Sequence, residues 1–216
     1  MSDVLAKYYA LCAASFDQKY LQPDLDEDAD AVAEHLETVL ANKSVLELGC
    51  GSGFWTETIA QTASAILATD INDEMLELAQ ERDYPDGVVE FAKADWLSLD
   101  LPAGHQLNAC FGAGVWSHVK REDYSKVLGN IRRVIGAGGV LILVDDNTVE
   151  GFTRPVARTD AEGNTYQIRE QADGARVEIL KNFPTDSYMK KKFSAIARDI
   201  RLSRNEYFWM LTCVLK

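Results

Sequence analysis

Cysteine is scarce in this chain. Its four copies, Cys12, Cys50, Cys110 and Cys213, lie far apart and form no C-x-x-C pair. That spacing argues against a structural zinc site, and a disulfide framework is not expected at this length. The thiols are expected to be reduced and mostly buried, and no metal is expected. No run of about 18 apolar residues occurs, so no membrane-spanning helix is expected. The first stretch, MSDVLAKYYALCAASFDQKY, has no basic leading region and is punctuated by polar residues. It does not read as a signal peptide, so the expected location is cytoplasmic. Positive charge is also in short supply: 22 Lys plus Arg stand against 34 Asp plus Glu, a net charge of −12. Such a field repels a phosphate backbone, so nucleic acid is a poor partner. A small anion is still compatible with it, because a few local arginines outweigh a diffuse distant field. Internal repeats and low-complexity segments are absent as well.

What remains is an ordinary globular composition. The 216 residues are 47% hydrophobic and 26% charged, enough for one domain with a real core over residues 1–216. Val32, Leu36, Val39 and Leu40 share one face of a helix from Asp26 to Leu40, which places a helical cap in residues 1–42. Apolar strands are expected at residues 43–49, 64–70, 87–95, 106–114 and 138–146. They alternate with helices at residues 54–63, 72–83 and 121–136, the second capped by Asn72. Near-continuously apolar strands alternating with helices predict an α/β fold, Rossmann-like and doubly wound, with both faces of the sheet covered. The pattern breaks over residues 147–184. There TYQIRE and ARVEIL read as a β-hairpin joined by QADG, an insertion on the substrate side. A helix from Asp186 to Ala197 and an aromatic-rich strand, NEYFWMLTCVLK, complete the chain.

The stretch SVLELGCGSGFW sets Gly49, Gly51 and Gly53 between a strand and a helix. Asp70 closes the next strand, 21 positions after Gly49. Glycines admit a tight turn and close ligand approach, helix N-terminal amides favour an anion, and the acid suits a ribose diol. A nicotinamide dinucleotide meets that description, but its fingerprint needs glycine where Phe54 stands. Glu47 precedes the loop, and a further acid, Asp95, closes strand three with Trp96 behind it. Three acids at these places suit a nucleoside that carries an amino acid, which offers a ribose diol, an adenine amino group and an ammonium as donors.

With VLELGCGSGFW, ATDINDEML, AKADW and RRVIGAGGVLILVDD in view, the chain resembles the class I S-adenosylmethionine-dependent methyltransferases. The resemblance implies a mostly parallel seven-stranded sheet with an antiparallel C-terminal strand, and the β-hairpin insertion after strand five. The cofactor implied is S-adenosyl-L-methionine. Gly49, Gly51 and Gly53 would line its methionine end, supported by Glu47, with Trp55, Met75 and Gly112 among the cofactor-side residues. Asp70 would bind the ribose hydroxyls, Ile71 would lie against the adenine, and Asp95 would accept from the adenine amino group beside Trp96. YYALCAASFDQKY, GVWSHV and RTDAEGNTYQIRE are further similar to bacterial small-molecule methyltransferases such as the dehydrophos phosphonate O-methyltransferase. That group usually carries a tyrosine where this chain has Phe16.

Ligands of open α/β sheets lie beyond the carboxyl ends of the strands, so Trp116, Ser117 and His118 are expected to face the methyl group. His118 is the candidate catalytic base; alternatively it orients the acceptor, because an ionised carboxylate or phosphonate needs no base. The insertion carries Arg154, Arg158, Arg169, Arg176 and Lys181 around Tyr166. Arg158 and Arg169 are the preferred clamps for an anionic acceptor, with Tyr9, Trp116, Tyr166 and His118 as further substrate contacts. Tyr8, Tyr9, Phe16 and Tyr20 form a candidate lid. The expected activity is methyl transfer to a small molecule, at an oxygen of an organic acid or at a hydroxyl, by a monomer or homodimer. Two other functions suit the same features: a non-catalytic cofactor-binding regulator and, more distantly, a nicotinamide oxidoreductase.

Overall fold

The computed structural model describes residues 1–20, 22–171 and 174–216, apart from the side chain of Lys19. Five parallel strands form its centre: β1 (Ser44–Leu48), β2 (Ala65–Asp70), β3 (Val89–Lys93), β4 (Ala109–Ala113) and β5 (Val140–Asp146). In β1, Val45 to Leu48 are buried, and in β5 so are Leu141 to Asp145. A strand buried on both faces cannot alternate, which is why these segments read as continuous apolar runs. The sheet order is β3-β2-β1-β4-β5, followed by two further strands, β10 (Phe208–Leu215) and the edge strand β9 (Ala197–Arg204). β10 (Phe208–Leu215) runs antiparallel to β5, pairing Phe208 with Asp146 and Val214 with Val140.

The expected seven-stranded sheet is present, and its seventh strand comes from an unexpected place. The helix predicted from Asp186 to Ala197 stops at Phe193 as α6 (Asp186–Phe193), and Ala197–Arg204 forms the edge strand β9. In β9 only Ile200 and Leu202 are half-buried, between exposed polar residues, a period of two that suits an edge. Helices cover both faces. On one, α5 (Tyr124–Ile135) buries Val127, Leu128 and Ile131 against Leu46, Leu141 and Leu143. On the other, α2 (Asp26–Leu40) and α3 (Phe54–Ala60) join the core of Val45, Phe111 and Ile142. α2 has the bounds expected of it and buries Val32, Leu36 and Leu40, whereas Val39 is half-buried. α4 (Asp73–Gln80) follows Asn72, which stands at its N-cap without a side-chain cap bond.

The insertion is a three-stranded antiparallel sheet, not a hairpin: β6 (Arg158–Thr159), β7 (Thr165–Glu170) and β8 (Arg176–Leu180). The predicted QADG turn includes Ala172 and Asp173, which lie outside the described residues. Buried amides fasten this sheet to the loop after β4. Asn164 Oδ1 accepts from the Arg121 amide at 2.8 Å, and Asn182 Nδ2 donates to the Val119 carbonyl at 2.9 Å. At the N-terminus α1 (Asp3–Cys12) and a 3₁₀ stretch over Ala13–Lys19 cross the carboxyl ends of the strands. Among the described residues no helix is long and apolar enough to cross a membrane.

Candidate functional site

In this sheet order β1 and β4 lie side by side, and the chain leaves them in opposite directions, so their ends open a crevice. A cavity of about 600 Å³ occupies it. Gly49 and Gly51 line it from β1, Asp70 from β2, Ala113 to Val115 from β4 and Asp146 from β5. α1 and the 3₁₀ stretch close it with Tyr8, Tyr9 and Phe16, and the insertion adds Arg154, Gln167, Arg169 and Lys181.

The glycine loop needs its glycines. Gly49 has φ +60° and Gly51 φ +56°, conformations that side chains disfavour. A Cβ on Gly51 would sit 2.9 Å from the Phe16 ring, and one on Gly49 would meet Val115 at 2.7 Å. The loop is tied to β2 through Asp70, which accepts from the Gly51 amide at 3.0 Å and the Asn72 amide at 2.9 Å. Burial raises the Asp70 carboxyl above its ordinary range, against the pull of those amides. Behind the loop Glu47 is wholly buried and accepts from the Thr56 hydroxyl at 2.7 Å. Burial lifts it to about 8, opposed by that hydrogen bond and helped by nearby Asp70.

The cofactor-side residues divide by position. Gly49, Gly51, Asp70, Met75 and Trp96 line the cavity. Glu47 and Gly112 lie behind it, Gly112 packed under Val115. Gly53 caps α3 and abuts Tyr84. Trp55 faces away into the core beneath Tyr20 and Phe54, which corrects its expected cofactor contact. Ile71 stands half-buried beyond Asp70. Asp95 accepts from the Leu97 amide at 2.9 Å and pairs with the Met1 ammonium.

At the far end of the cavity His118 Nδ1 lies 2.5 Å from the Leu180 carbonyl, and Nε2 lies 2.8 Å from the Tyr9 hydroxyl. A carbonyl only accepts, so Nδ1 carries the proton, and Nε2 accepts from Tyr9. Burial, then Lys181, pushes the imidazole down to about 4, so it is neutral at pH 7. Lys181 is buried and donates to Asp145 and Asp146, both at 2.8 Å. Asp145 also takes the Ser117 amide at 2.8 Å and its hydroxyl at 3.0 Å. Lys181 thus pins the insertion to the end of β5.

Three expected substrate contacts are corrected. Trp116 is only 1% exposed and packs between Tyr124 and Phe193, in the core. Arg158 and Tyr166 lie on the outer face of the inserted sheet. There the guanidinium stacks 3.8 Å above the Tyr166 ring and pairs with Glu178 at 2.5 Å. The strand period of two explains this, because Tyr166 and Ile168 face outward while Gln167 and Arg169 face the cavity. Tyr9, His118 and Arg169 do meet around the cavity. Lys181 and Gln167 join them. Lys181 was visible as one of the clustered basic residues, whereas a neutral glutamine gave no signal.

The residues present fit a nucleoside amino acid: a glycine cradle, a carboxylate at the end of β2 and a cavity of ligand size. Residues 45–139 match the family described as a methyltransferase domain. The ubiquinone biosynthesis O-methyltransferase of Pseudomonas fluorescens (strain SBW25) is 31% identical over 103 residues, 46% of this chain and 43% of that protein. The phosphoethanolamine N-methyltransferase 1 of Caenorhabditis elegans is 26% identical over 105 residues, 49% of this chain and 22% of that protein. The chain thus spans less than half the length of these curated relatives. A solved structure described as a DhpI-SAH complex aligns with a TM-score of 0.80 and 25% identity, covering 99% of this chain and 96% of that one. CalS10, an amino pentose methyltransferase from Micromonospora echinaspora, aligns at 0.60 and 19% over 91% and 95% of the two chains, a likeness of fold alone.

Proposed function

We propose that this chain is a class I S-adenosylmethionine-dependent methyltransferase that methylates an oxygen of a small organic acid, carboxylate or phosphonate. The observation that carries the proposal is one cavity with two chemically different ends. Its β1–β2 end offers a glycine cradle and Asp70, and its inserted-sheet end offers Arg154, Arg169 and Lys181.

At the first end Gly49 and Gly51 would approach the methionine part, Asp70 would take the ribose diol, and Met75 and Trp96 would flank the base. When bound, S-adenosylmethionine supplies an electrophilic methyl group on a sulfonium. The protein then has to hold an acceptor oxygen in line, and alignment of that kind contributes on the order of 7–11 kcal/mol. Arg169 and Arg154 would hold the acceptor's charge, while Tyr9, docked on neutral His118, would close the site. His118 already accepts the Tyr9 proton donor, so its part is orientation, in keeping with an acceptor that arrives ionised. The whole chain acts as one domain in this reading, with residues 1–42 as cap and 147–184 as the acceptor-side insertion. The relatives named as O-methyltransferases support oxygen as the acceptor atom.

Turnover of methyl-labelled S-adenosylmethionine against carboxylic acids, phosphonic acids and neutral alcohols tests this. Label in the acids is expected. Label in neutral alcohols alone would refute the oxyanion reading. Intact cofactor binding with no transfer to any acceptor would leave a non-catalytic binding protein as the better description.

A further inference from the structure

Three cationic side chains border the acceptor end of the cavity, and their surroundings differ. Lys181 is committed to two aspartates. Arg154 is exposed, and its backbone carbonyl accepts from Gln167 Nε2. Arg169 donates from Nη2 to Gln167 Oε1 at 2.7 Å, and among the described residues no group accepts from its buried Nε–H. Among the described residues no carboxylate pairs with Arg169.

Gln167 is therefore the hub of this wall. It is 0% exposed, and its two ends are fixed by what they face. The Arg154 carbonyl can only accept, so the amide nitrogen points there. The Arg169 guanidinium can only donate, so the amide oxygen points there. A buried side chain held at both ends has one orientation, and it transmits that orientation to the guanidinium. A glutamate would grip the same guanidinium more strongly, but it would cancel its charge and set a carboxylate oxygen against the Arg154 carbonyl. A neutral amide aims Arg169 and leaves its charge to whatever enters the cavity.

We propose that Gln167 is a positioning residue that sets the site's selectivity for anions by aiming Arg169 without neutralising it. The inference rests on the acceptor reading above. It predicts more than a general need for residue 167. The acid and the apolar replacement should fail differently, because one removes charge from the site and the other removes only direction.

The test is calorimetric titration of the full chain, loaded with S-adenosylhomocysteine, with methylphosphonate and with acetate as probes. At pH 9, where methylphosphonate is mainly the dianion, Gln167→Glu is expected to weaken methylphosphonate at least ten-fold and acetate less, since the doubly charged probe loses more. Gln167→Met should weaken the two probes by similar factors. S-adenosylhomocysteine affinity should stay within two-fold throughout. An unaltered methylphosphonate affinity in Gln167→Glu would overturn the proposal, and so would a parallel loss of S-adenosylhomocysteine binding, which marks a merely structural role. Arg169→Met separates the two levels. If it weakens methylphosphonate while Gln167→Glu does not, the role of Gln167 falls and the acceptor reading stands. If Arg169→Met changes nothing, both fall.

Discussion

Glu47 is a carboxyl group in the centre of the sheet whose pKa is pushed up to about 8, mainly by burial. Between pH 4.5 and 8 the unfolded chain releases this proton and the folded chain keeps it, so folding loses stability as pH rises through that window. Glu47→Gln keeps an acceptor for the Thr56 hydroxyl and removes the titration. The variant should gain stability over the parent progressively from pH 4.5 to 8, reaching on the order of 3–5 kcal/mol at about 1.4 per pH unit. Denaturant melts at several pH values check this, and a pH-independent difference would contradict it. His118 shifts the other way, down to about 4, so the folded chain binds fewer protons than the unfolded one between pH 4 and 6.5. Its contribution to stability is full above pH 6.5 and is lost on acidification. Once turnover is measured, its pH profile should show no limb from His118 between pH 5 and 9. A limb near 6.5 that disappears in His118→Gln would restore the catalytic base. At this scale the sequence located His118 by its place after β4. It could not tell Arg169 from Arg158, because the choice depends on which parity of a strand faces the cavity.

The elements over the cavity are fastened by few contacts. Asp17, in the 3₁₀ stretch, accepts from the Ser52 hydroxyl of the glycine loop and pairs with Arg82, which also reaches Glu57 at 2.6 Å. Phe16 rests on Gly51, and Tyr9 on His118. Half-exposed ion pairs of this kind contribute about 0.2–1 kcal/mol, so the stretch is held lightly. Arg82→Ala should speed hydrogen exchange at residues 13–18 while costing under about 1 kcal/mol of global stability. Unchanged protection there would show that the aromatic contacts alone hold the stretch. Elements with strong periodicity, such as α2 and the apolar strands, were legible in the sequence. β9 was not, because DSYMKKKFSAIA continues a helical composition past Phe193 and only tertiary pairing with β10 decides the switch. β6 was too short to leave a pattern.

The molecule as a whole carries a strong negative charge and yet gathers Arg154, Arg169 and Lys181 at one end of one cavity. The opposite end is built from the glycine loop and Asp70, whose order along the chain made the proposed methyl donor legible in the sequence. The proposed acceptor end was only partly legible, because its walls come from α1, β4 and the inserted sheet, segments far apart in the chain. The identity of the ligand at the glycine loop decides between a methyltransferase and a nicotinamide enzyme. Calorimetric titration of the chain with S-adenosylhomocysteine measures it directly. One site per chain is predicted, weakened by about 1–3 kcal/mol in Asp70→Ala through lost charged hydrogen bonds. Tight binding of a nicotinamide dinucleotide, with none of S-adenosylhomocysteine, would contradict it.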